Sequence, residues 1–149
     1  MEIRQADKSN INDVVALAHE LWNKSDETKL INSLNQSLSS NREAVFIAVD
    51  NDRIIAFANI TLRTDYVEGT SSNPVAYLEG IYVLPEYRCH GIAKKLIYHL
   101  EKWALKMNCT EFASDCELSN QDSYKFHLNT GFIEANRIIC FTKKIGDKL

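Results

Sequence analysis

One stretch in the middle of the chain constrains the fold most, because it combines a strand, a stop signal and a long helix. The largely apolar residues Val75–Val83 are followed by Pro85, which predicts a strand that ends there. Gly91 then opens a segment in which apolar residues recur at helical spacing. The apolar face of this helix consists of Ile92, Leu96, Leu100, Trp103 and Met107. The pattern predicts a strand–turn–helix unit over residues 75–107.

The rest of the chain predicts further strands and helices around this unit. Helices are predicted to begin at the N-caps Ser9 and Ser25, and another, over residues 120–130, ends at Gly131. Asn51 and Asp52 predict a hairpin turn, and the polar residues 64–73 predict a loop. Other strands are predicted at residues 3–6, 44–49, 54–62, 112–116, 132–135 and 138–143. This order predicts one mixed α/β domain over residues 1–149.

Composition narrows the class of protein. The chain has 149 residues, 45 % of them hydrophobic, and no apolar run approaches the roughly 20 residues that span a bilayer. Its N-terminus lacks the apolar region of a signal peptide, which predicts a cytoplasmic protein. The cysteines show no C-x-x-C pairing, which predicts free thiols and no metal site. The net charge of −3 argues against nucleic acid or an anionic membrane as partner.

The turn between the predicted strand and helix, residues 88–93, has the features of a phosphate site. Free N–H groups at a helix N-terminus and the helix dipole attract anions. Gly91 permits close approach of the backbone, and Arg88 and Lys94 add positive charge. Neither the P-loop nor the three-glycine dinucleotide motif is present. The alternative interpretation is an ordinary tight turn.

The whole arrangement resembles the acetyl-CoA-binding core of the GNAT superfamily of N-acetyltransferases. Arg88, Gly91 and Ala93 match its loop pattern after an apolar-x-Val-x-Pro strand end, and Asn120 and the pair Gly131-Phe132 match a later mark. The resemblance implies a central, mostly antiparallel sheet that is splayed between strands 4 and 5, with helices on both faces. It also implies a cofactor site. Its residues would be Ile81, Tyr82 and Val83 beside the pantetheine arm, Arg88, Cys89, His90, Gly91, Ile92, Ala93 and Lys94 around the pyrophosphate, and Asn120.

Two carboxylates are candidates for the chemistry of acetyl transfer to an amine. The amine must lose a proton to attack, and an alkyl ammonium group has a pKa of about 10. Glu79 lies on the predicted cofactor strand, and Asp115 lies on the next strand along the chain. Both are expected to face the cleft where these strands diverge. The alternative is that they are surface carboxylates at strand ends.

A closer resemblance is to the short, dimeric bacterial aminoglycoside 6'-N-acetyltransferases. It rests on Trp22, on the segment around Tyr66, and on the segments that contain Glu79 and Asp115. The resemblance implies that Trp22 and Tyr66 flank sugar rings. It implies that Glu79 and Asp115 pair with ammonium groups and take the amine proton. It also implies a resistance enzyme that forms a homodimer through its C-terminal strands.

Three positions depart from the resemblance. Ser25 replaces a frequent His, and Asn136, a candidate substrate contact, replaces a frequent carboxylate, with Glu134 nearby. His127 stands where many members carry a Tyr that protonates the thiolate; imidazole is able to do this, or the residue packs on a helix face. Two alternatives stay open: a GNAT enzyme for another amine, such as a polyamine, a protein lysine or an N-terminus, and a non-catalytic acyl-CoA sensor.

Overall fold

The computed structural model describes residues 1–146, with strands and helices in nearly the predicted order. The strands are β1 (Glu2–Gln5), β2 (Glu43–Asp50), β3 (Arg53–Arg63), β4 (Val75–Val83) and β5 (Phe112–Ala113). The helices are α1 (Ile11–Leu21), α2 (Glu27–Ser39), α3 (Ile92–Lys106) and α4 (Gln121–Asn129). Met1–Asp115 forms one compact unit, and α4 belongs to a second unit that begins at Cys116.

Within the described residues, the five strands form one sheet in the order β1-β2-β3-β4-β5. Each of the first four strands pairs antiparallel with the next, and β5 runs parallel to β4. Asn51 and Asp52 both have positive φ and form the predicted turn between β2 and β3. The mixed α/β fold with a mostly antiparallel sheet is therefore confirmed.

Helices pack on both faces of the sheet because side chains alternate along each strand. Val45 and Ile47 of β2 belong to a buried cluster with residues of α1 and α2, among them Leu17 and Leu34. Phe46, between them, instead meets His99 of α3, with ring centroids 6.2 Å apart. Among residues 1–146, no helix combines the length and the apolar character required to cross a membrane.

The predicted N-caps Ser9 and Ser25 are wrong by one or two residues. Asp7 caps the 3-10 turn Lys8–Asn10 that leads into α1 and accepts a hydrogen bond from the N–H of Ser9. Asp26 caps α2 and accepts from the N–H of Thr28 at 2.7 Å. In both cases an aspartate carboxylate, which can be an N-cap as good as serine, reaches the free N–H groups.

The second unit confirms one predicted helix end and lacks two predicted strands. Asn120 caps α4, and Gly131, with φ of 98°, follows its last turn in a Schellman arrangement with Phe132. Residues 132–135 and 138–143 form no strand in the part of the chain that the structure describes. Their apolar side chains, such as Phe141 at 87 % exposure, contact water. A strand requires a neighbour for its hydrogen bonds, which residues 1–146 do not supply to these segments. Residues 112–116 form a strand only at Phe112–Ala113.

Candidate active site

Within residues 1–146, one edge of β4 is paired with a strand in its first part and has no strand partner in its second part. β5 pairs with β4 only at Ala76 and Tyr77, so from Leu78 onward β4 has no β5 partner among the described residues. On the other side, Asn59 pairs with Gly80 and Ile60 pairs with Leu78, which leaves Glu79 as the extra residue of a β-bulge. The predicted splay between strands 4 and 5 is therefore present. In the part of the chain that the structure describes, the edge at residues 81–83 therefore has no strand partner, and the hydrogen bond described on it is the one that the Val83 carbonyl accepts from Arg88 Nε.

The turn after β4 presents successive N–H groups at the start of α3. The backbone hydrogen bonds of the turn end with Arg88 N–H to Pro85 and resume with Lys95 N–H to Gly91. Within residues 1–146, the N–H groups from 89 to 94 have no described backbone acceptor. Cys89 and Gly91 have φ of 64° and 76°, which bends the turn around these groups. The arrangement suits an anion such as pyrophosphate.

The Arg88 side chain contributes to the turn in a way that the sequence did not predict. Its Nε donates to the carbonyl of Val83 at 2.8 Å, and its guanidinium lies 5.2 Å from the ring centroid of Tyr82. The side chain therefore folds back on β4 and closes the turn. His90 Nδ1 lies 3.2 Å from the carbonyl of Tyr87, at the outer side of the same turn.

Glu79 is held by two side chains of β3. The Arg63 guanidinium binds both carboxylate oxygens, with Nη2 2.9 Å from Oε1 and 3.0 Å from Oε2. The Thr61 hydroxyl donates to Oε1 at 2.7 Å. The Glu79 and Arg63 side chains are 27 % and 43 % exposed, so the ion pair is partly accessible to solvent. Glu79 is therefore an anchored carboxylate whose charge is balanced.

Asp115, two residues after β5, is joined to the same cluster through Tyr77. The Tyr77 hydroxyl donates to Oδ2 of Asp115. The Arg63 guanidinium carbon lies 3.4 Å from the centroid of the Tyr77 ring, within the range of a cation–π contact. Burial is the largest cause that raises the pKa of Tyr77 above its usual range, and the hydrogen bond to Asp115 is the next largest. The structure thus brings the two predicted carboxylates into one cluster.

Sequence reasoning missed Arg63, Tyr77 and Thr61. The alternation of side chains along a strand is the signal that points to them. Thr61 and Arg63 are two residues apart on β3 and therefore share a face, and the same spacing relates Tyr77 to Glu79 on β4. The two pairs meet only in the register that the structure shows, with Thr61 opposite Tyr77. That register includes the bulge at Glu79 and was not readable from the sequence.

The Trp22 side chain, at the end of α1, packs against the sheet. Its ring meets Phe57 edge to face, with centroids 5.9 Å apart, at the margin of the buried cluster. A Cβ built at Gly80 would lie 2.4 Å from Cζ2 of Trp22 and 2.9 Å from Leu21 Cδ2. The indole therefore lies directly on β4 beside the bulge, and Gly80 makes room for it.

Tyr66 lies on the predicted loop of residues 64–73 and is 78 % exposed. Its hydroxyl donates to Glu68 at 3.2 Å. The loop residues line a surface pocket of about 320 Å³. The backbone N–H groups of Ser71 and Ser72 both donate to Glu111 Oε1, at 2.9 and 2.8 Å, which fastens the loop to the residue before β5.

The candidate residues of the second unit have local partners. The Asn120 side chain accepts from the N–H of Ser123 at 3.0 Å, as an N-cap. Nδ1 of His127 lies 2.6 Å from the carbonyl oxygen of Ser123. Asn136 Oδ1 accepts from the N–H of Arg137 at 2.8 Å.

The cysteines and the acidic residues form no additional site in the described part of the chain. The four cysteines are free thiols, of which Cys109 is buried. Among residues 1–146, no group of three or more His, Cys, Asp or Glu side chains is arranged to hold a metal ion.

The contact between Gly80 and Trp22 predicts a stability effect. We expect Gly80→Ala to lower the free energy of unfolding by about 1–3 kcal/mol, because the methyl group overlaps the indole and one of them must move. Urea unfolding measures the change. Trp22→Leu, alone and combined with Gly80→Ala, is the control: the double variant should lose less than the sum of the single variants. Additive losses would contradict the contact.

The Glu111 anchor predicts a pH dependence of stability. Hydrogen bonds from Ser72 and Ser71 hold the pKa of Glu111 below its usual range. Its stabilising contribution is therefore complete above the unfolded pKa of about 4.3 and is lost as the pH falls through the lower folded pKa. Glu111→Gln should destabilise the protein at pH 7 and have a smaller effect near pH 3. Urea unfolding at the two pH values checks this, with exposed Glu101→Gln as the control for loss of one charge. Equal effects of Glu111→Gln at both pH values would refute it.

Comparison with known proteins agrees with this geometry. The model of the Acetyltransferase (GNAT) family matches residues 11–132. An Aminoglycoside N(6')-acetyltransferase type 1 from Acinetobacter baumannii is 40 % identical over 146 residues, which cover 98 % of this chain and 100 % of the relative.

Two solved structures have the same fold and a related sequence. The apo aminoglycoside 6'-N-acetyltransferase AAC(6')-IG from Acinetobacter haemolyticus has a TM-score of 0.93 and 37 % identity, with 97 % of this chain and 99 % of that chain covered. AAC(6')-Iy in complex with the bisubstrate analogue CoA-S-monomethyl-acetylneamine has a TM-score of 0.92 and 36 % identity, with 96 % and 97 % covered. The chain therefore belongs to the GNAT family of acetyltransferases and, within it, to the aminoglycoside N(6')-acetyltransferases.

Proposed function

We propose that this protein transfers the acetyl group of acetyl-CoA to the 6'-amine of aminoglycoside antibiotics and thereby confers resistance. The observation that carries the proposal is the acidic cluster of Glu79 and Asp115 beside the open edge of β4. An acceptor with several ammonium groups suits this cluster. Relatives at 36–40 % identity carry the name of this activity, and one of them binds an analogue that joins CoA to an aminoglycoside.

The cofactor side of the proposal uses backbone groups. The edge of β4 at Ile81, Tyr82 and Val83 would pair with the pantetheine arm, since β5 does not occupy it. The N–H groups of the turn, residues 89–94, would bind the pyrophosphate. We assign Asn120 a cofactor contact on the family resemblance, in addition to its capping role.

The acceptor side uses the carboxylates and two aromatic side chains. Asp115 attracts the cationic acceptor, Glu79 would orient it, and Tyr66, exposed on its loop, would flank a sugar ring. Trp22 would present the part of its indole that is not packed on Gly80. Asn136 is retained as a substrate contact from the resemblance.

The acceptor nitrogen must lose two protons, and the thiolate must gain one. The acceptor ammonium group loses the first proton to Asp115, directly or through water, and its nitrogen then bonds to the acetyl carbonyl carbon. The carbon–sulfur bond breaks, the nitrogen releases its second proton to water, and the CoA thiolate takes a proton from His127 or from water. General-base assistance of this kind is typically worth about 10²–10⁴ in rate.

A thiol-release assay tests the acceptor class. With acetyl-CoA and kanamycin or tobramycin we expect thiol release, and none with an analogue that carries a 6'-hydroxyl group. Asp115→Asn should lower kcat about 100-fold or more, with little change in the KM for acetyl-CoA, because it removes the proton acceptor and leaves the turn intact.

Asp13→Asn, at the first turn of α1, is the matched control and should keep wild-type activity. Release only with spermidine or a lysine peptide would identify a GNAT enzyme for another amine. CoA binding without turnover on any amine would identify a sensor. Wild-type activity of Asp115→Asn would overturn the assignment of the base.

We also propose that the chain is a single N-acetyltransferase domain that acts in the cytoplasm, with no nucleic-acid or membrane partner. The family model crosses the boundary at Cys116, which supports one functional domain. The free thiols are typical of a reducing compartment, and the net charge of −3 disfavours polyanions.

A homodimer is the proposed assembly, formed through the C-terminal segment. Its exposed apolar side chains, among them Ile133 at 88 % and Ile139 at 81 % exposure, would gain from burial against a second copy. Light scattering should give a dimer for the wild type and a monomer for Ile139→Asp or Phe141→Asp. Leu105→Asp, at an exposed position of α3, should remain a dimer. A monomeric wild type would refute the proposal.

A further inference from the structure

We propose that Tyr77 and Arg63 divide the two carboxylates of the cluster into unlike roles: Arg63 makes Glu79 a charge-balanced anchor, and Tyr77 positions Asp115 as the proton acceptor. The division of roles rests on the proposed function, whereas the contacts behind it do not. Tyr77 and Arg63 are positioning residues in this scheme, since each acts through a carboxylate.

Glu79 has little capacity left for a new partner. Its Oε1 accepts from the Thr61 hydroxyl at 2.7 Å and from Arg63 Nε at 3.1 Å and Nη2 at 2.9 Å, and its Oε2 accepts from Nη2. A bidentate guanidinium–carboxylate pair is among the stronger protein ion pairs and balances the carboxylate charge. An amine that approached Glu79 would have to replace one of these bonds. Glu79 is therefore suited to orienting an acceptor rather than deprotonating it.

Asp115 has a different environment. The residue is exposed, and the hydrogen bond described for it comes from a neutral phenol rather than from a cation. Tyr77 remains a donor over the working pH range, because burial and Asp115 itself raise the pKa of the phenol. A donor at Oδ2 holds the Asp115 carboxylate in one orientation. Asp115 is therefore suited to receiving a proton from an incoming amine.

Arg63 links the two environments. Its guanidinium binds Glu79 and at the same time stacks 3.4 Å from the Tyr77 ring centroid, so one side chain holds both the anchor and the ring of the donor. The charged groups that interact with Tyr77 come from three segments: Arg63 from β3, Glu79 from β4 and Asp115 after β5. Removing the Tyr77 hydroxyl would therefore alter Asp115 and leave the Arg63–Glu79 pair in place.

The split between kcat and KM for an aminoglycoside separates the two roles. In Tyr77→Phe we expect kcat to fall about 10-fold, because the Asp115 carboxylate loses the hydrogen bond that orients it. The KM for acetyl-CoA should not change. Glu79→Gln should raise the acceptor KM and leave kcat unchanged. Tyr98→Phe, at an exposed tyrosine of α3, is the matched control with unchanged kcat and KM.

Two results would overturn the division of roles. One is a kcat in Tyr77→Phe that equals that of Tyr98→Phe. The other is a fall in kcat of about 10-fold or more in Glu79→Gln, since the anchor would then be the group that takes the proton.

A second measurement does not depend on turnover. The ultraviolet absorption of tyrosinate, compared between wild type and Tyr77→Phe, reports the ionisation of Tyr77, while circular dichroism defines the pH range in which the protein stays folded. Asp115→Asn should bring this ionisation to lower pH, because the carboxylate next to the phenol is removed; Asp13→Asn should not. An unchanged titration in Asp115→Asn would disprove the Tyr77–Asp115 link. If no aminoglycoside is acetylated, the proposed function fails and this titration still tests the link.

Discussion

The incomplete pairing of β4 is the constraint on which the site depends. β4 pairs with β3 from Val75 to Val83 except at the bulge residue Glu79, but β5 pairs with β4 at only two residues. A fully paired strand would have no free backbone groups on that side, and a strand with no partner would lack support. The pairing with β3 supports β4 on one side, and the short pairing with β5 leaves the second half of the other side without a strand partner among the described residues. The turn that follows β4 presents its N–H groups beyond the same end of the strand.

The bulge in β4 adds a charged side chain to this backbone arrangement. The extra residue is Glu79, and its side chain meets Arg63 and Thr61 of the neighbouring strand. The next residue, Gly80, has no side chain, and the Trp22 ring fills the space that a Cβ would need. The Glu79 carboxylate, on β4, and the Trp22 ring, at the end of α1, thus occupy neighbouring positions along β4. This proximity suits an acceptor that carries both sugar rings and ammonium groups.

Local signals in the sequence were sufficient for most of the first unit. The bounds of Val75–Val83, the opening of α3 after Gly91, and the turn at residues 51–52 all depend on neighbouring residues and were predicted. The caps at Ser9 and Ser25 were wrong, since aspartates one or two residues away compete for the same N–H groups and only their geometry decides. The final strands were wrong because strand formation depends on a partner, which the local apolar pattern does not reveal.

The sequence by itself determined the strand–turn–helix unit, because periodicity, proline and glycine act over short stretches of chain, and its resemblance to a known family pointed to Glu79 and Asp115 as candidate carboxylates. The tertiary structure alone decided what each carboxylate contacts. Arg63 reaches Glu79, and Tyr77 reaches Asp115, only through the register of β3 against β4 and the short pairing of β4 with β5. Such pairings join residues 16 to 38 positions apart. A one-residue slip in register would turn these side chains to the opposite face of the sheet, which is the physical reason that local patterns do not contain this information.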